Sequence, residues 1–321
     1  MGSEKRSETL PVTPATGMRD ILPQSTLLRD RIVGIILDTY RSFGFERVET
    51  PALEDIRRLT AGEGGENEKL IFKVLKRGEK LDLNRQPLKE EDIVDLGLRY
   101  DLTVPLVRYF AANIAKLPNP FKAIQIGPVW RAERPQKGRY RQFTQCDIDI
   151  IGIKSELAEI ELIAATSQVI LNIGFKKFSV RVNDRRILAG LVTRCGFEPG
   201  QAGSVFVTVD KLDKIGVEGV RNELTEKCFS SAAIEALSRF LATVSVSGGI
   251  SLREVAAFIG DVLEPTVTAT LEKIIELSTH HSAGRYRVIF DPTLVRGMGY
   301  YTGPILEISM VEFGGSMGGG G

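Results

Sequence analysis

Residues 121–152 constrain the fold of this chain more than any other segment. They read FKAIQIGPVWRAERPQKGRYRQFTQCDIDIIG, in which two alternating apolar runs flank a loop rich in arginine. Alternation with a period of two predicts a β-strand on each side, and Pro135 and Gly138 are able to turn the chain between them. The segment is therefore predicted to form a hairpin that carries several cations near its tip, namely Arg131, Arg134, Lys137, Arg139 and Arg141.

The side chains of this loop suit a bound nucleotide. The planar guanidinium of arginine binds phosphate oxygens in pairs, whereas lysine supplies a point charge. Glu133 lies among the cations, and its carboxylate is able to accept a hydrogen bond from an exocyclic amine such as that of adenine. The ring face of Phe143 is able to stack on a base. A solvated cationic hairpin and an RNA-binding loop are alternative interpretations, because basic patches are common on protein surfaces.

Composition narrows the class of protein. The chain has 321 residues, of which 43% are hydrophobic and 26% charged, and this is typical of a globular protein with two domains. The net charge of +1 argues against a surface broadly adapted to nucleic acid, so any RNA contact is expected to be local. The sequence has no apolar run of the roughly 20 residues that a membrane span needs, and its first ten residues are too polar for a secretory signal. A cytoplasmic protein without membrane contact is expected.

Cysteine and histidine give no sign of a metal site. The three cysteines, Cys146, Cys195 and Cys228, are far apart and have neither paired nor metal-ligand spacing. The two histidines, His280 and His281, are adjacent, so on a helix they point to different faces. Reduced thiols and no protein metal site are therefore predicted.

The spacing of apolar residues predicts several helices and strands. A long amphipathic helix is expected to start near Pro23 and to end at Gly44, followed by a strand from Phe45 to Pro51. Its periodicity is compatible both with packing inside one monomer and with packing in a dimer. Further along the chain, a helix and three strands are predicted over 156–173, 178–182, 286–291 and 305–310.

The order of these elements predicts a core with an insertion. Residues 1–15 are polar without periodicity and are expected to form a disordered tail, whereas residues 16–188 form the core. Residues 189–284 carry several helical stretches between strands and are predicted to be an inserted helical domain. Residues 285–321 return to the core and end in a glycine run, whose composition is typical of a flexible linker or a tag.

The loop sequence RxERPQKGRYRQF closely resembles the second signature motif of class II aminoacyl-tRNA synthetases, in the form found in histidyl-tRNA synthetases. Four more segments carry the same resemblance: 98–105 (LRYDLTVP), 182–188 (VNDRRIL), 209–214 (VDKLDK) and 294–303 (LVRGMGYYTG). The resemblance implies an α+β fold, with an antiparallel class II sheet of six or seven strands flanked by helices and an inserted helical domain. It also implies a homodimer, and a catalytic-core fragment that stops before the third motif and the anticodon-binding domain.

The resemblance also assigns roles to single residues. In the implied reaction the carboxylate of histidine attacks the α-phosphorus of ATP, so catalysis requires positioning and stabilisation of phosphoryl charge. Arg131 and Arg296 are the expected catalytic residues, on two sides of the α-phosphate. The expected ATP-binding residues are Arg131, Glu133, Arg139 and Phe143. The expected histidine-binding residues are Asp101, Thr103 and Gln145 at the amino group, and Asp149 and Tyr301 at the imidazole, with Tyr300 as a neighbour.

One of these placements follows from the residues themselves. Strand alternation sets Gln145, Asp147 and Asp149 on one face, where they either bind a small amino acid or face solvent. The function that the resemblance implies is activation of L-histidine with ATP, accompanied by Mg²⁺, and transfer to tRNA(His) in protein biosynthesis. Two alternatives stay open. One is a catalytically silent relative that regulates ATP phosphoribosyltransferase and typically loses arginines that this chain retains; the other is a plain RNA-binding module.

Overall fold

The computed structural model describes residues 10, 12–61, 67–84, 86–136, 138–246, 249–296, 301–310 and 315–321. The chain divides into two compact units, Met1–Ile151 and Gly152–Gly321. Both units combine helices with sheets, and the strands are not linked by a regular repeat of parallel βαβ crossovers. The predicted α+β class is confirmed.

The first unit contains four helices and six strands within the described residues. The helices are α1 (Pro23–Ser42), α2 (Ile56–Leu59), α3 (Glu90–Ile93) and α4 (Thr103–Asn113). The strands are β1 (Glu46–Arg47), β2 (Leu53–Asp55), β3 (Lys73–Leu75), β4 (Val94–Leu98), β5 (Phe121–Trp130) and β6 (Gln142–Ile151). Short 3-10 turns occupy Asn67–Leu70, Gly78–Lys80 and Ile114–Lys116.

Helix α1 begins and ends where the sequence predicts. Pro23 occupies the start of the helix, where its missing N–H is no loss, and Gly44 takes a φ of +81° just past the end. The strand predicted from Phe45 to Pro51 is shorter than expected, because only Glu46–Arg47 forms a ladder with β5. Beyond it, Pro51 has no N–H to donate, and its carbonyl accepts from the Arg99 guanidinium instead of a strand.

The predicted hairpin is confirmed. Strands β5 and β6 pair antiparallel over ten positions, from Phe121 opposite Ile151 to Trp130 opposite Gln142. Gly138 turns the connecting loop with a φ of +83°, a conformation that glycine adopts without strain. At the far end of the hairpin, the buried Phe121 ring stacks on Phe110 with centroids 6.1 Å apart.

The strands form smaller sheets than the resemblance implies. In the first unit the described strands form two sheets of three, in the orders β1-β5-β6 and β2-β4-β3. Strand β1 runs parallel to β5, whereas the other pairs in these two sheets are antiparallel. No sheet in the described ranges reaches six strands, because the three-residue strands β2 and β3 pair around β4 as a separate sheet.

The second unit contains seven helices and four strands within the described residues. The helices are α5 (Leu157–Ile173), α6 (Arg185–Arg194), α7 (Ala202–Val209), α8 (Leu212–Glu226), α9 (Ser231–Val246), α10 (Leu252–Ile259) and α11 (Pro265–Ser282). The strands are β7 (Ser179–Asp184), β8 (Arg287–Phe290), β9 (Pro304–Met310) and β10 (Gly315–Gly320), in the sheet order β10-β9-β7-β8. Short 3-10 turns occupy Pro199–Gln201 and Gly260–Val262.

Local chemistry explains several boundaries in this unit. Helix α5 ends at Gly174, which has a φ of +116°, as its sequence predicts. The buried carboxylate of Asp184 accepts from the Arg186 N–H at 2.8 Å and so caps α6. The C-terminal glycine run is neither a linker nor a free loop over Gly315–Gly320, since it pairs antiparallel with β9. A single apolar core joins this sheet to helices α5–α11, with Val182, Leu271 and Ile305 at 0% exposure.

Helices α6–α11 separate β7 from its parallel neighbour β8. The insertion predicted over 189–284 lies between β7 and β8, and its exact limits stay a prediction. Within the described part of the chain, no helix combines the length and apolar character needed to cross a membrane.

Candidate active site

The arginine-rich loop places a cation beside an aromatic ring. The Arg131 guanidinium lies over the Phe143 ring, 5.1 Å from its centroid, and its Nε donates to the Tyr100 carbonyl at 3.0 Å. The Arg131 N–H donates to the Arg141 carbonyl at 2.8 Å, which extends the hairpin ladder by one step. Arg131 is thus fixed by backbone groups on both sides, and within the described residues its terminal nitrogens make no hydrogen bond, so they are available for a ligand.

The sequence predicts that the cations of the loop lie near the hairpin tip. This is not so for Arg141. The Arg141 Nε donates to the Glu133 carbonyl at 3.0 Å, and its N–H donates to the Gly17 carbonyl at 2.7 Å. Arg141 therefore ties the loop together instead of offering its charge at the tip, because its backbone and side-chain donors are used internally. Arg134 and Arg139 are exposed, and Lys137 lies outside the described residues.

Asp101 is a buried acid at the start of α4. Its side chain is 1% exposed, and its Oδ1 accepts from the Val104 N–H at 3.1 Å. Its Oδ2 is buried without a hydrogen-bond partner in the described part of the chain. Burial raises the pKa of Asp101, whereas the backbone hydrogen bond from Val104 and the charge of Arg131 act in the opposite direction. Thr103 follows as the first residue of α4 and is half-buried.

Three polar side chains of β6 share one face, as alternation predicts. Gln145 Nε2 donates to both carboxylate oxygens of Asp147, at 3.0 and 2.8 Å. Within the described ranges, neither Gln145 Oε1 nor Asp149 Oδ2 has a hydrogen-bond partner, although both atoms are buried. This face is therefore not the solvent-facing surface that was the alternative interpretation.

The acids of this face are close enough to perturb one another. Burial, together with the charges of Asp147 and Asp101, raises the pKa of Asp149 to about 7. Burial also raises the pKa of Asp147 to about 6; Asp101 adds to the rise, whereas the Gln145 hydrogen bond and Arg131 oppose it. Such mutual perturbation is typical of a site built for a cation.

A buried arginine that the sequence reasoning did not single out holds the segment 99–101 in place. Arg99 is 6% exposed, and it donates to the carbonyls of Thr50 at 2.6 Å and Pro128 at 3.0 Å. Its own carbonyl accepts from the Trp130 N–H at 3.0 Å. Because Tyr100 and Asp101 follow directly, this clamp sets the position of the carbonyl that holds Arg131 and of the Asp101 carboxylate.

Arg296 belongs to the second unit and lies in a network of charges there. It pairs with Glu307 through Nη1, which also donates to Ser316 Oγ at 2.9 Å. The other oxygen of Glu307 accepts from Arg181 at 3.0 Å, and Arg181 also pairs with Asp291 at 2.6 Å. Tyr301 is half-buried in the same unit, whereas Tyr300 lies outside the described residues.

The acids and thiols do not combine into a metal site. Within the described ranges, no group of three or more His, Cys, Asp or Glu side chains is placed to hold a metal ion. All three cysteines are free. The polar groups of the candidate site in the described residues are arginines, buried carboxylates and one amide.

Comparison with known proteins shows the family of this chain. A family model described as histidyl-tRNA synthetase matches residues 17–321. The chain belongs to the histidyl-tRNA synthetase family. It is 49% identical to the histidine–tRNA ligase of Leifsonia xyli subsp. xyli, over 97% of this chain and 73% of that protein. It is 41% identical to a probable histidine–tRNA ligase of Tropheryma whipplei, over 97% of this chain and 73% of the relative.

A solved structure supports the same family. The crystal structure of histidyl-tRNA synthetase from Nostoc sp. matches with a TM-score of 0.78 at 26% identity, over 98% of this chain and 69% of that chain. Membership of this family confirms the expectation of an aminoacyl-tRNA synthetase, which is a ligase. The regulatory alternative is not favoured, because the curated relatives are named as ligases.

The sequence pattern singled out candidate site residues, which stay a prediction, but not the residues that position them. Arg99 and the Tyr100 carbonyl position Arg131 and Asp101, and Asp147 orients the Gln145 amide. A signal for Arg99 was present, since a charged residue directly after the strand sequence VDLGL is unusual unless its charge is bound. The sequence also shows a glycine, Gly127, inside the β5 pattern. The structure gives the reason, because a Cβ added there would lie 2.5 Å from Arg99 Nη2.

Proposed function

We propose that this chain activates L-histidine with ATP and transfers it to tRNA(His). A carboxylate oxygen of histidine bonds to the α-phosphorus, the bond from that phosphorus to the bridging oxygen of pyrophosphate breaks, and histidyl-adenylate forms. The oxygen of a ribose hydroxyl of tRNA then bonds to the carbonyl carbon of the histidyl group, the bond from that carbon to the phosphate oxygen breaks, AMP leaves, and the hydroxyl proton passes to water. Family membership supports histidine, ATP and tRNA as substrates. The observation that carries the proposal is a set of three buried acceptor atoms without a partner in the described residues, namely Asp101 Oδ2, Gln145 Oε1 and Asp149 Oδ2, of which the Asp101 carboxylate feels the charge of Arg131.

Unpaired buried acceptors call for a ligand rich in donors. Each buried acceptor that lacks a partner costs about 1–3 kcal/mol, so three of them in one place favour a ligand that supplies several N–H groups. An α-ammonium group has three N–H donors, and an imidazole adds one or two. We assign Asp101, Thr103 and Gln145 to the amino group, and Asp149 and Tyr301 to the imidazole, with Tyr300 as a neighbour.

The same geometry supports a nucleotide next to the amino acid. We assign Arg131 to the α-phosphate and Phe143 to the adenine ring, and their 5.1 Å separation is compatible with adjacent phosphate and base subsites. Glu133 is proposed to accept from the adenine amine, and the exposed Arg139 to bind the outer phosphates. We assign Arg296 to the α-phosphate as the second catalytic arginine. These cations would stabilise the charge that grows on the phosphoryl oxygens as pyrophosphate leaves.

We expect Mg²⁺ to enter with ATP. Mg²⁺ keeps most of its ligands from phosphate oxygens and water in such sites. The carboxylate nearest to Arg296 does not suit a metal ion, because both oxygens of Glu307 are bound by arginines. We therefore assign no protein ligand to Mg²⁺ and derive no step from it.

Three features of the whole protein follow from the family and belong to the same proposal. We propose a homodimer, a cytoplasmic location, and a helical insertion over 189–284 between two parts of a catalytic core, 16–188 and 285–321. The mixed acids and bases of the insertion do not by themselves indicate RNA binding.

The deciding experiment is pyrophosphate exchange into ATP, with each amino acid in turn. It is run on this chain and on a version extended to the full length of the matched relatives, with histidine binding measured separately. Exchange that depends on histidine alone, in either version, supports the proposal. Silence in both, with histidine still bound, would favour the regulatory relative. RNA affinity that falls steeply with salt and ignores histidine would favour the RNA-binding module.

A further inference from the structure

Asp147 has no assigned role, although it lies between two residues of the proposed histidine subsite. It is half-buried on β6, on the same face as Gln145 and Asp149. Its two carboxylate oxygens accept from the same nitrogen, Gln145 Nε2, at 3.0 and 2.8 Å. Both of its oxygens are thus directed at the amide of its neighbour.

This contact determines which end of the Gln145 amide faces the site. A carboxylate only accepts hydrogen bonds, whereas an amide has a donor end and an acceptor end. If the amide were reversed, Oε1 would lie beside two carboxylate oxygens, which is repulsive and leaves the contact without a hydrogen bond. Asp147 therefore holds the NH₂ group, and Oε1 is left as a buried acceptor without a partner in the described residues.

We infer that Asp147 is a positioning residue, which keeps Gln145 Oε1 directed at the α-amino group of the amino acid without contacting the substrate itself. The inference rests on the proposed function, because it assumes an amino acid in this site. Its physical basis does not depend on that function: the Asp147 carboxylate can only accept from the Gln145 NH₂ group, and this leaves Gln145 Oε1 as a buried acceptor that needs a donor. Asp101 Oδ2 is the second such acceptor, so one ammonium group would satisfy both.

The test is Asp147→Asn. Asparagine presents a donor and an acceptor, so both orientations of the Gln145 amide become possible and Oε1 loses its fixed direction. We expect the dissociation constant for histidine, measured by calorimetry, to rise by about tenfold. In pyrophosphate exchange, KM for histidine should rise by a similar factor, while kcat and KM for ATP change by less than about twofold.

A ligand without the amino group separates positioning from a merely structural role. Imidazolepropionate is histidine with hydrogen in place of the amino group, and histidinol keeps the amino group but lacks the carboxylate. Asp147→Asn should weaken histidine and histidinol alike and should change imidazolepropionate binding by less than about twofold. Equal losses for all three ligands would overturn the inference, because the effect would then not pass through the amino group.

A double variant that combines Gln145→Glu with Asp147→Asn provides the rescue. The introduced asparagine amide would donate to one oxygen of the introduced carboxylate, and the other oxygen would again face the site as an acceptor, with the total charge unchanged. We expect the double variant to recover most of the histidine affinity that Asp147→Asn loses. Thr144→Val is the matched control, since Thr144 lies on the opposite face of the same strand and is exposed.

The outcomes separate this inference from the proposed function. Unchanged histidine affinity in Asp147→Asn, or no recovery in the double variant, overturns the inference even if the wild-type chain shows histidine-dependent exchange. Histidine binding without exchange overturns the proposed activation, and the affinities still decide the role of Asp147. A wild-type chain that does not bind histidine overturns both.

Discussion

Asp149 shows how a single buried acid couples function to stability. Burial and two neighbouring carboxylates raise its pKa to about 7. The folded chain then binds more protons than the unfolded chain between about pH 4 and 7, so the free energy of unfolding falls as the pH rises through this window. Ionised Asp149 therefore destabilises the ligand-free protein, and a bound cation would remove that penalty.

Because ionisation of Asp149 lowers the free energy of unfolding, Asp149→Asn should change stability in a pH-dependent way. The amide cannot ionise, so the variant should be close to wild-type stability near pH 5 and more stable than wild type at pH 8, by about 2 kcal/mol. Urea unfolding of the ligand-free proteins at both pH values measures the difference. Asp38→Asn serves as the control, since this carboxylate is 81% exposed and should give the same small difference at both pH values. A pH-independent effect of Asp149→Asn would show that ionisation of Asp149 does not destabilise the ligand-free protein.

Arg296 is the residue on which the proposed charge stabilisation depends most. Arg296→Ala should lower histidine-dependent pyrophosphate exchange by about 10²–10³-fold, because the growing phosphoryl charge loses one of its cations. Histidine binding should persist. The local structure should also persist, since Glu307 keeps Arg181 at 3.0 Å on its other oxygen.

The control for Arg296→Ala is Arg253→Ala in α10. Arg253 is 85% exposed and pairs with Glu272 on the surface, so its removal should leave exchange unchanged. If exchange by Arg296→Ala remained at the level of the control, the catalytic role assigned to Arg296 would be wrong.

Arg99, which directly follows β4, packs against Gly127 of β5. The Arg99 guanidinium bonds to the carbonyls of Thr50, Pro51 and Pro128, so it has little freedom to move. A Cβ at position 127 would lie 2.5 Å from Arg99 Nη2, well inside van der Waals contact. The absence of a side chain in β5 is what allows the arginine to lie across the strands.

Gly127→Ala should therefore destabilise the first unit by about 1–3 kcal/mol, as overpacking does in other tightly packed sites. It should also lower pyrophosphate exchange, because Arg99 positions the segment that holds Arg131 and Asp101. Gly34→Ala in α1 is the matched control: nothing lies within 4 Å of its added Cβ, and alanine favours a helix by up to about 1 kcal/mol. Equal stability of the two variants in urea would show that the Arg99 side chain moves away from the added Cβ at no cost in free energy of unfolding.

Apolar exposure on α1 bears on the state of the whole molecule. Leu27 and Leu28 are 74% and 60% exposed in the single chain. Leu28 lies at helical spacing from Ile32 and Ile35, but it is not buried in the single chain. The buried residues of α1 lie in its C-terminal half, so packing inside one monomer explains only that half of the helix. Exposed leucines on one helix are compatible with the proposed homodimer.

Leu28→Asp should accordingly weaken self-association at least about tenfold, since a charge would be buried without a partner at the interface. Sedimentation velocity over a range of protein concentrations measures the change. Leu75→Asp on β3 is the control, because Leu75 is also exposed, at 54%, but lies on a different element. A monomeric wild type, or equal effects of both variants, would rule out α1 as the interface.

Local pattern was enough to predict seven of the described helices and strands. Helix α1, the hairpin of β5 and β6, helix α5, and strands β7, β8 and β9 lie where periodicity and glycine punctuation indicate, because these signals act between residues close in the chain. The glycine run at Gly315–Gly320 did not carry such a signal. Its strand conformation depends on pairing with β9, which is a tertiary interaction.

The polar groups of the candidate site could be predicted from local pattern: the loop arginines, the alternating polar face of β6 and the acid before α4. Strand alternation and the hairpin register depend on backbone geometry that every residue shares, so they are readable without coordinates. The contacts that these groups make depend on tertiary packing. It turned Arg141 inward, clamped Arg99 against three carbonyls, and fixed the Gln145 amide through Asp147. These contacts depend on burial and on donors meeting acceptors across distant segments, which no local pattern specifies.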